Sequence, residues 1–286
     1  MFGQYVPPAH VEQMLAHPDT ISLEGESREM TVLFSDIRSF TTISEGMSAQ
    51  ALKQMLNRFF TPITQVIFDH NGIIDKYVGD MVMAFWNAPL KDQRHAYNAI
   101  LAALAMQKMS EGLRHDFAAA GFPEVNIGIG VNTGPMNVGD MGSNFRRAYT
   151  VLGDSVNLGS RLESVTKFYG VKILVGESSY AQAPEFLYRR VDSIVVKGKS
   201  EPVTVYEPVC LLSEASASRK ERVSRFNEAV GYYCAQQWDA SADILRELLA
   251  QDPERKLYQL YLERIASLRD TDLGVGWSGV FEHANK

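Results

Sequence analysis

Two apolar runs separated by only two residues constrain the fold of this chain more than any other feature of its sequence. The runs are Ile73–Val78 and Met81–Trp86, and the dipeptide between them is Gly79-Asp80. Such a dipeptide between two strand-like segments is typical of a tight β-hairpin. The sequence therefore predicts an antiparallel strand pair that carries the carboxylate of Asp80 at its tip.

Helical and strand-like segments alternate on both sides of this hairpin. An apolar run from Met30 predicts a buried strand, after which Ser39 and Thr41 offer N-cap chemistry for a helix. Apolar periodicity predicts further helices over 51–68, 93–119 and 154–169, and further strands over 125–131, 149–152, 172–175, 188–196 and 203–209. The Gly- and Asn-rich residues 132–142 are predicted to form turns. Because no strict βαβ rhythm appears, we expect an α+β fold of ferredoxin-like type, with a central antiparallel-rich sheet flanked by helices.

A change of composition near residues 213–218 divides the chain. We predict an opening helix and linker over 1–28, an α+β domain over 29–210, and a C-terminal α-helical extension over 211–286. The extension contains three amphipathic segments and loosely resembles one tetratricopeptide-like (TPR-like) helical hairpin. Since a single such unit cannot bury its apolar face alone, we expect it to pack on the α+β domain or on a partner.

Charge and composition exclude several classes of partner. The net charge of -6 argues against a nucleic-acid partner, because such binding requires an excess of Lys and Arg. An anionic substrate therefore needs metal ions or a local basic pocket. The cysteines Cys210 and Cys234 fit a reducing compartment, and no run approaches the ~20 apolar residues that cross a bilayer. We expect a cytoplasmic chain, with the alternative that it is the cytoplasmic part of a membrane-anchored receptor.

Several polar residues occupy positions that suit metal and phosphate chemistry. If the strand ending at Asp36 lies beside the hairpin, Asp36 and Asp80 together can hold a pair of Mg²⁺ ions, which prefer oxygen ligands. The backbone N–H groups after Asp36 can bind phosphate, although a capping role explains this residue equally well. Asn157 and Arg161 are four residues apart and share a helical face, whereas Arg161 alone is more typical of a surface ion pair. Lys197 lies in a short basic loop that can cap a triphosphate, although such a loop alone is more typical of a solvated turn.

Five segments resemble, in chain order, the motifs of the class III adenylate and guanylate cyclases. They are Phe-Ser-Asp-Ile-Arg-Ser-Phe-Thr (34–41), Asp-Lys-Tyr-Val-Gly-Asp-Met-Val-Met-Ala-Phe-Trp-Asn-Ala-Pro (75–89), Gly-Ile-Gly-Val-Asn-Thr-Gly (128–134), Tyr-Thr-Val-Leu-Gly-Asp-Ser-Val-Asn-Leu-Gly-Ser-Arg-Leu-Glu (149–163) and Val-Lys-Gly-Lys (196–199). The resemblance covers roughly residues 29–208 and implies that the α+β domain is catalytic, with the class III cyclase fold. The two ends of the chain more loosely resemble bacterial cyclases that carry a sensor and membrane helices upstream.

The resemblance implies a role for each matched position. It implies two Mg²⁺ or Mn²⁺ ions per active site, held by Asp36, Asp80 and the backbone carbonyl of Ile37. The implied substrate contacts are adenine recognition by Lys76 and Thr150, ribose orientation by Asn157, transition-state stabilisation by Arg161, terminal phosphate contact by Lys197, and substrate binding by Ser39, Phe40 and Thr41. Thr150 departs from the commoner Asp of the family and places the chain in a Thr-containing bacterial subgroup, several of whose members respond to bicarbonate.

The implied activity is the conversion of ATP to cyclic AMP and pyrophosphate by a homodimer. In the family, the metal aspartates and the nucleotide-reading residues of one site come from different subunits, so a symmetric dimer has two competent sites. A guanylate cyclase is the nearest alternative, although it typically has Glu and Cys in place of Lys76 and Thr150. A catalytically inactive nucleotide-binding module and a diguanylate-cyclase-like enzyme are further alternatives. The first usually lacks a metal aspartate or the arginine, and the second has a different hairpin sequence.

Overall fold

A computed structural model describes residues 25–143, 145–195, 202–274 and 276–280 of the chain. The chain forms two compact units, and the boundary between them in the sequence lies between Ser164 and Val165. Residues 1–24, which hold the predicted opening helix and most of the predicted linker, lie outside the described residues. The division into domains at residues 28 and 210 stays a prediction.

Among the described residues of the first unit, five strands form antiparallel pairs. The strands are β1 (Glu26–Ile37), β2 (Ile73–Val78), β3 (Met81–Trp86), β4 (Ile127–Gly142) and β5 (Arg147–Leu152). Neighbouring strands follow the order β2-β3-β1-β4, and β5 pairs with β4. The hairpin between β2 and β3 is confirmed, and β1 pairs with β3 so that Ser35 lies opposite Val82. This register brings the end of β1 next to the hairpin tip.

Helices accompany the sheet of the first unit. They are α1 (Phe40–Glu45), α2 (Ala49–Asp69), α3 (His95–Ala119) and α4 (Asp154–Tyr169), of which residues 154–164 of α4 belong to this unit. The Ser48 side chain caps α2 by accepting a hydrogen bond from the Ala51 N–H at 3.2 Å. One face of α2 is buried, with Phe59 and Ile63 fully inaccessible to solvent. The α+β class predicted from the sequence is confirmed.

The part of the second unit that the structure describes includes three strands and four complete α-helices. They are β6 (Ile173–Gly176), α5 (Glu177–Gln182), β7 (Phe186–Ile194), β8 (Val203–Leu211), α6 (Ala217–Cys234), α7 (Trp238–Gln251) and α8 (Lys256–Leu268). Strand β8 pairs antiparallel with both β6 and β7. The three predicted C-terminal helices are confirmed as α6, α7 and α8.

The C-terminal helices pack on β7 through specific polar contacts. The side chain of Asn227 on α6 accepts a hydrogen bond from the Arg190 N–H at 2.9 Å. The Tyr261 hydroxyl on α8 donates to the Val191 carbonyl oxygen at 2.8 Å. The aromatic ring of Phe226 on α6 is fully buried, and its centroid lies 5.7 Å from that of the Tyr261 ring. The apolar faces of the helices are therefore covered within their own unit.

The structure differs from the sequence-based predictions in three local features. Strand β4 continues to Gly142, whereas turns were predicted after residue 131, because pairing with β1 and β5 overrides the weak strand propensity of Gly and Asn. Helix α5 was not anticipated. Helix α1 does begin after Ser39, but that residue has a left-handed backbone (φ 57°) and its side chain makes no capping hydrogen bond.

Among the described residues, no helix combines the length and apolarity needed to span a membrane.

Candidate active site

The end of β1 and the tip of the β2–β3 hairpin bring two carboxylates together. The backbone N–H of Ile37 donates to Asp36 Oδ1 at 3.0 Å and to Asp80 Oδ2 at 3.1 Å. Asp36 and Asp80 are both half-buried, and Gly79 just before Asp80 has a left-handed backbone (φ 64°), which a hairpin turn requires. The structure therefore brings together the two acids that the sequence marked as a pair.

The electrostatics of this carboxylate pair favour a bound cation. Burial, followed by hydrogen bonding and charge repulsion from the close carboxyl group of Asp36, raises the pKa of Asp80 to about 7. A divalent cation with oxygen ligands relieves such repulsion, and Mg²⁺ commonly uses only one or two protein carboxylates. The donor set of Asp36 and Asp80, with the neighbouring Ile37 carbonyl, therefore fits a hard divalent metal.

A second polar cluster lies between β2 and β5. Lys76 Nζ is 3.5 Å from Thr150 Oγ1, so the structure brings together the two residues expected to read a base. The Thr150 hydroxyl donates to Asp75 Oδ2 at 2.6 Å, and Asp75 Oδ1 is 3.3 Å from Lys76 Nζ. Lys76 is exposed, whereas Thr150 and Asp75 are buried. The sequence reasoning missed Asp75, because an acid inside a strand gives no local signal of burial.

Helix α4 lies close against the strand that carries Asp36. A Cβ atom on Gly159 would lie 2.8 Å from Val32 Cγ2, and one on Gly130, in the neighbouring strand β4, would overlap the Glu163 backbone nitrogen. Only glycine permits so close an approach of helix and strand. Asn157 and Arg161 flank Gly159 on α4. The close contacts of Gly159 therefore fix the distance of these two residues from the sheet.

Two further charged residues surround Asp36, and the sequence reasoning did not select either of them. Burial lowers the pKa of the Arg38 guanidinium, while the charges of Glu163 and Asp36 act in the opposite direction. Burial, followed by the charge of Asp36, raises the pKa of Glu163 to about 7. Glu163 lies two residues after Arg161 in the same motif, which was the available signal. Both residues contribute to the electrostatic potential near Asp36.

The remaining predicted positions differ in their exposure to solvent. Asn157 is exposed on α4, and Arg161 is half-buried there. Ser39 and Thr41 are exposed at the start of α1, and Phe40 is half-buried. Lys197 lies outside the described residues, so its predicted phosphate contact stays a prediction.

Comparisons with known proteins identify the family of this chain. A family model described as the adenylate and guanylate cyclase catalytic domain matches residues 24–207. Adenylate cyclase 1 of Rhizobium meliloti is 36% identical over 209 residues, which cover 73% of this chain and 31% of the relative. The adenylate cyclase of Anabaena cylindrica is 38% identical over 188 residues, covering 64% of this chain and 37% of the relative. The chain thus spans about a third of the length of these curated relatives.

Solved structures of cyclases resemble the chain as well. The adenylyl cyclase CyaB from P. aeruginosa is 35% identical, with a TM-score of 0.62 over 68% of this chain and 100% of that chain. The guanylyl cyclase Cya2 is 30% identical, with a TM-score of 0.60 over 67% of this chain and 97% of that chain. These matches confirm the class III cyclase fold and the resemblance that the five motifs carry. The chain belongs to the adenylate and guanylate cyclase catalytic domain family.

Proposed function

We propose that this chain is the catalytic domain of an adenylate cyclase, which converts ATP to 3′,5′-cyclic AMP and pyrophosphate at sites shared by two copies of the chain. The observation that carries the proposal is the meeting of Asp36 and Asp80 at the Ile37 N–H. Relatives named adenylate cyclase, at 36% and 38% identity, support the same assignment.

The metal-binding part of the site consists of Asp36, Asp80 and the Ile37 carbonyl. These groups would hold two divalent ions, Mg²⁺ or Mn²⁺, beneath the triphosphate. When bound, such ions neutralise phosphate charge and lower the pKa of a coordinated hydroxyl. The shared hydrogen bond from Ile37 keeps both carboxylates pointed at one place, so the ligand set is organised before substrate arrives.

The chemistry that the side chains serve is an in-line displacement. The ribose 3′-oxygen forms a bond to the α-phosphorus, its proton is released, and the bond to the departing pyrophosphate breaks. Asn157 orients the ribose, and Arg161 meets the negative charge that grows on the reacting phosphate. Ser39, Phe40 and Thr41 lie where the backbone reaches the phosphates, and Lys197 contacts their terminal end. The catalytic contribution of the protein is therefore mostly positioning and charge neutralisation.

The Lys76–Thr150 pair supports ATP over GTP as the substrate. Lys76 donates to a ring nitrogen, and Thr150 accepts from an exocyclic amino group, as adenine requires. Because one solved relative is a guanylyl cyclase at 30% identity, the fold alone does not separate the two substrates. The base-reading residues make that distinction.

A product assay tests the proposal. The purified chain is incubated with ATP or GTP and with Mg²⁺ or Mn²⁺ at several protein concentrations, and cyclic nucleotides are separated by chromatography. We expect cyclic AMP, formed with a specific activity that rises with protein concentration because the site assembles on association. The Asp36→Ala variant provides the metal-site control. Formation of cyclic GMP in preference to cyclic AMP contradicts the substrate, and the absence of either product contradicts the activity.

A further inference from the structure

Asp75 occupies an irregular position in the hairpin ladder. Ile74 pairs with Ala84 and Lys76 pairs with Met83, so the register shifts by one residue and Asp75 is the extra residue of a β-bulge. In a regular strand, the side chains of Ile74 and Asp75 would point to opposite faces. Both are buried here, while Lys76 is exposed. The bulge therefore turns an acidic side chain into the interior next to the base-reading pair.

The buried carboxylate of Asp75 contacts both base-reading residues. It accepts the Thr150 hydroxyl at 2.6 Å and lies 3.3 Å from the Lys76 ammonium, while only 8% of Asp75 is exposed. Burial raises the pKa of Asp75, and the hydrogen bond from Thr150 and the charge of Lys76 oppose that rise. Burying a carboxylate costs free energy unless its contacts compensate. These contacts therefore connect the bulge directly to the chemistry of Lys76 and Thr150.

We propose that Asp75 is a positioning residue that sets the purine specificity of this site, an inference that rests on the proposed function. The hydroxyl of Thr150 has one proton, and its hydrogen bond to Asp75 uses that proton. The Thr150 oxygen can then only accept a hydrogen bond from the base. Lys76 can only donate. Asp75 thus gives the site a fixed pattern of one donor and one acceptor.

This pattern distinguishes the two common purines by the polarity of their edges. Adenine presents a ring nitrogen that accepts and an amino group that donates, whereas guanine presents a ring N–H that donates and a carbonyl that accepts. For a base held in one register by its ribose, adenine satisfies both Lys76 and Thr150. Guanine opposes donor to donor and acceptor to acceptor, and sites of this kind discriminate strongly because the mismatched groups stay unpaired.

The isosteric variant Asp75→Asn tests this role. Its amide can donate to Thr150, so the hydroxyl can reverse and offer its proton to a carbonyl. We expect the ratio of kcat/KM for ATP to kcat/KM for GTP to fall by about tenfold or more. In a Thr150→Val background, which lacks the hydroxyl, the same Asp75→Asn change should alter the ratio less than about twofold, because coupled residues are non-additive.

A control variant and a substrate series separate this role from general damage. Thr133→Val removes another buried hydroxyl of the first unit, bonded to Thr31 at 2.7 Å, and should leave the nucleotide ratio unchanged. Thermal unfolding verifies that each variant is folded. With the unmodified chain, inosine triphosphate, which has the guanine carbonyl without the 2-amino group, should be rejected about as strongly as GTP. This measurement stands even if Asp75→Asn does not fold.

The outcomes distinguish this inference from the proposed function. A chain that cyclises no nucleotide contradicts both. An ATP-selective chain whose ratio is unchanged by Asp75→Asn, or changes equally in the Thr150→Val background, contradicts only the role of Asp75. Use of inosine triphosphate as efficiently as ATP also contradicts it, because polarity at the purine edge then does not decide selection.

Discussion

Acidic residues in the two units have opposite surroundings. In the second unit, Asp192 accepts the Tyr169 hydroxyl at 2.6 Å and pairs with Arg264 Nη1 at 2.8 Å. In the first unit, Asp80 faces the carboxyl group of Asp36, and burial together with that neighbour raises the pKa of Asp80 to about 7. In the second unit, the guanidinium group of Arg264 offsets the free-energy cost of burying Asp192. In the first unit, the two carboxyl groups can instead be neutralised by a cation from solution.

Glu207 shows the same contrast through its pKa. Burial alone would raise that pKa, but Arg189 and Arg255 outweigh burial and hold it below the ordinary value. Both guanidinium groups form ion pairs with the carboxylate. We call an acid matched when a cationic side chain of the protein pairs with it, as Arg264 does with Asp192. Matched acids therefore contribute to stability, whereas two acids that face each other, such as Asp36 and Asp80, lower stability and suit a metal-binding role. Substitutions in the two units should have opposite consequences.

The largest expected effect comes from breaking the matched pair in the second unit. In Arg264→Met, Asp192 keeps a buried charge without its guanidinium partner, and the two side chains are only 2% and 1% exposed. Removing one partner of such a pair costs about 3–5 kcal/mol in the free energy of unfolding. Urea denaturation followed by circular dichroism measures this loss.

The control for this substitution lies on the surface of the same unit. Arg225 on α6 pairs with Glu228 and Glu247 in exposed positions, so Arg225→Met should leave the urea midpoint nearly unchanged. Equal losses in the two variants would mean that burial does not distinguish these ion pairs. The structural role of Asp192 would then be wrong.

In the first unit, Arg161→Ala should change turnover rather than stability. We expect kcat to fall about 10²- to 10³-fold, because the guanidinium meets charge that develops only in the transition state. Asp36→Ala should be nearly inactive for lack of a metal ligand. If each site takes these two residues from different subunits, mixing the two variants should restore about a quarter of the unmodified activity through one intact site per heterodimer. Failure of rescue, with dimers verified by light scattering, contradicts shared sites.

The helix that carries Arg161 provides a smaller and more specific test. A Cβ at Gly159 would lie 2.8 Å from Val32 Cγ2, so Gly159→Ala should cost about 1–3 kcal/mol and should also lower kcat by shifting α4. Gly112→Ala is the matched control, because nothing lies within 4 Å of its Cβ and alanine favours a helix by about 1 kcal/mol. A Gly159→Ala chain with full activity would show that the close packing serves stability alone.

Much of the fold and part of the site could be predicted from local patterns. The apolar runs on both sides of Gly79-Asp80 predicted the hairpin. They also predicted that Asp80 lies at its tip. The approach of Asp80 to Asp36 depends on the register between β1 and β3. From the sequence, we could predict this approach only on the assumption that the two strands are neighbours. The burial of Asp75 could not be predicted, because the β-bulge that turns it inward has no local sequence signal.

The long-range contacts explain the other misses. Residues 132–142 were predicted to form turns because Gly and Asn are poor strand formers, yet pairing with β1 up to Val138 and with β5 from Asn137 onwards makes them part of β4. Arg38 and Glu163 come from motifs that are distant in sequence, and only the packing of α4 on the sheet gives them a common neighbour in Asp36. Local periodicity therefore predicts elements, while the charge environment of a site depends on how elements pair.

The smallest expected effect is a gain of stability in the first unit. The folded-state pKa of Asp80, about 7, exceeds its ordinary value of 3.8. At pH 8 the Asp80 carboxylate is ionised in both states but is better solvated in the unfolded chain, so it lowers the free energy of unfolding. This loss of stability decreases as the pH falls from 7 towards 4, because the folded chain then binds a proton at Asp80. Asp80→Asn removes the charge without changing the shape. It should therefore raise the free energy of unfolding by about 1 kcal/mol at pH 8, a value discounted for partial exposure, and by much less at pH 4.5.

A titration with Mg²⁺ at pH 8 makes this test sharper. A metal that binds only the folded state stabilises it by mass action, so the unmodified chain should gain thermal stability as Mg²⁺ is added, while Asp80→Asn should gain little. Asp243→Asn, at an exposed position of α7, controls for the loss of any carboxylate. If Asp80→Asn is less stable than the unmodified chain at pH 8 without metal, Asp80 is a matched acid like Asp192, and the contrast between the two units disappears.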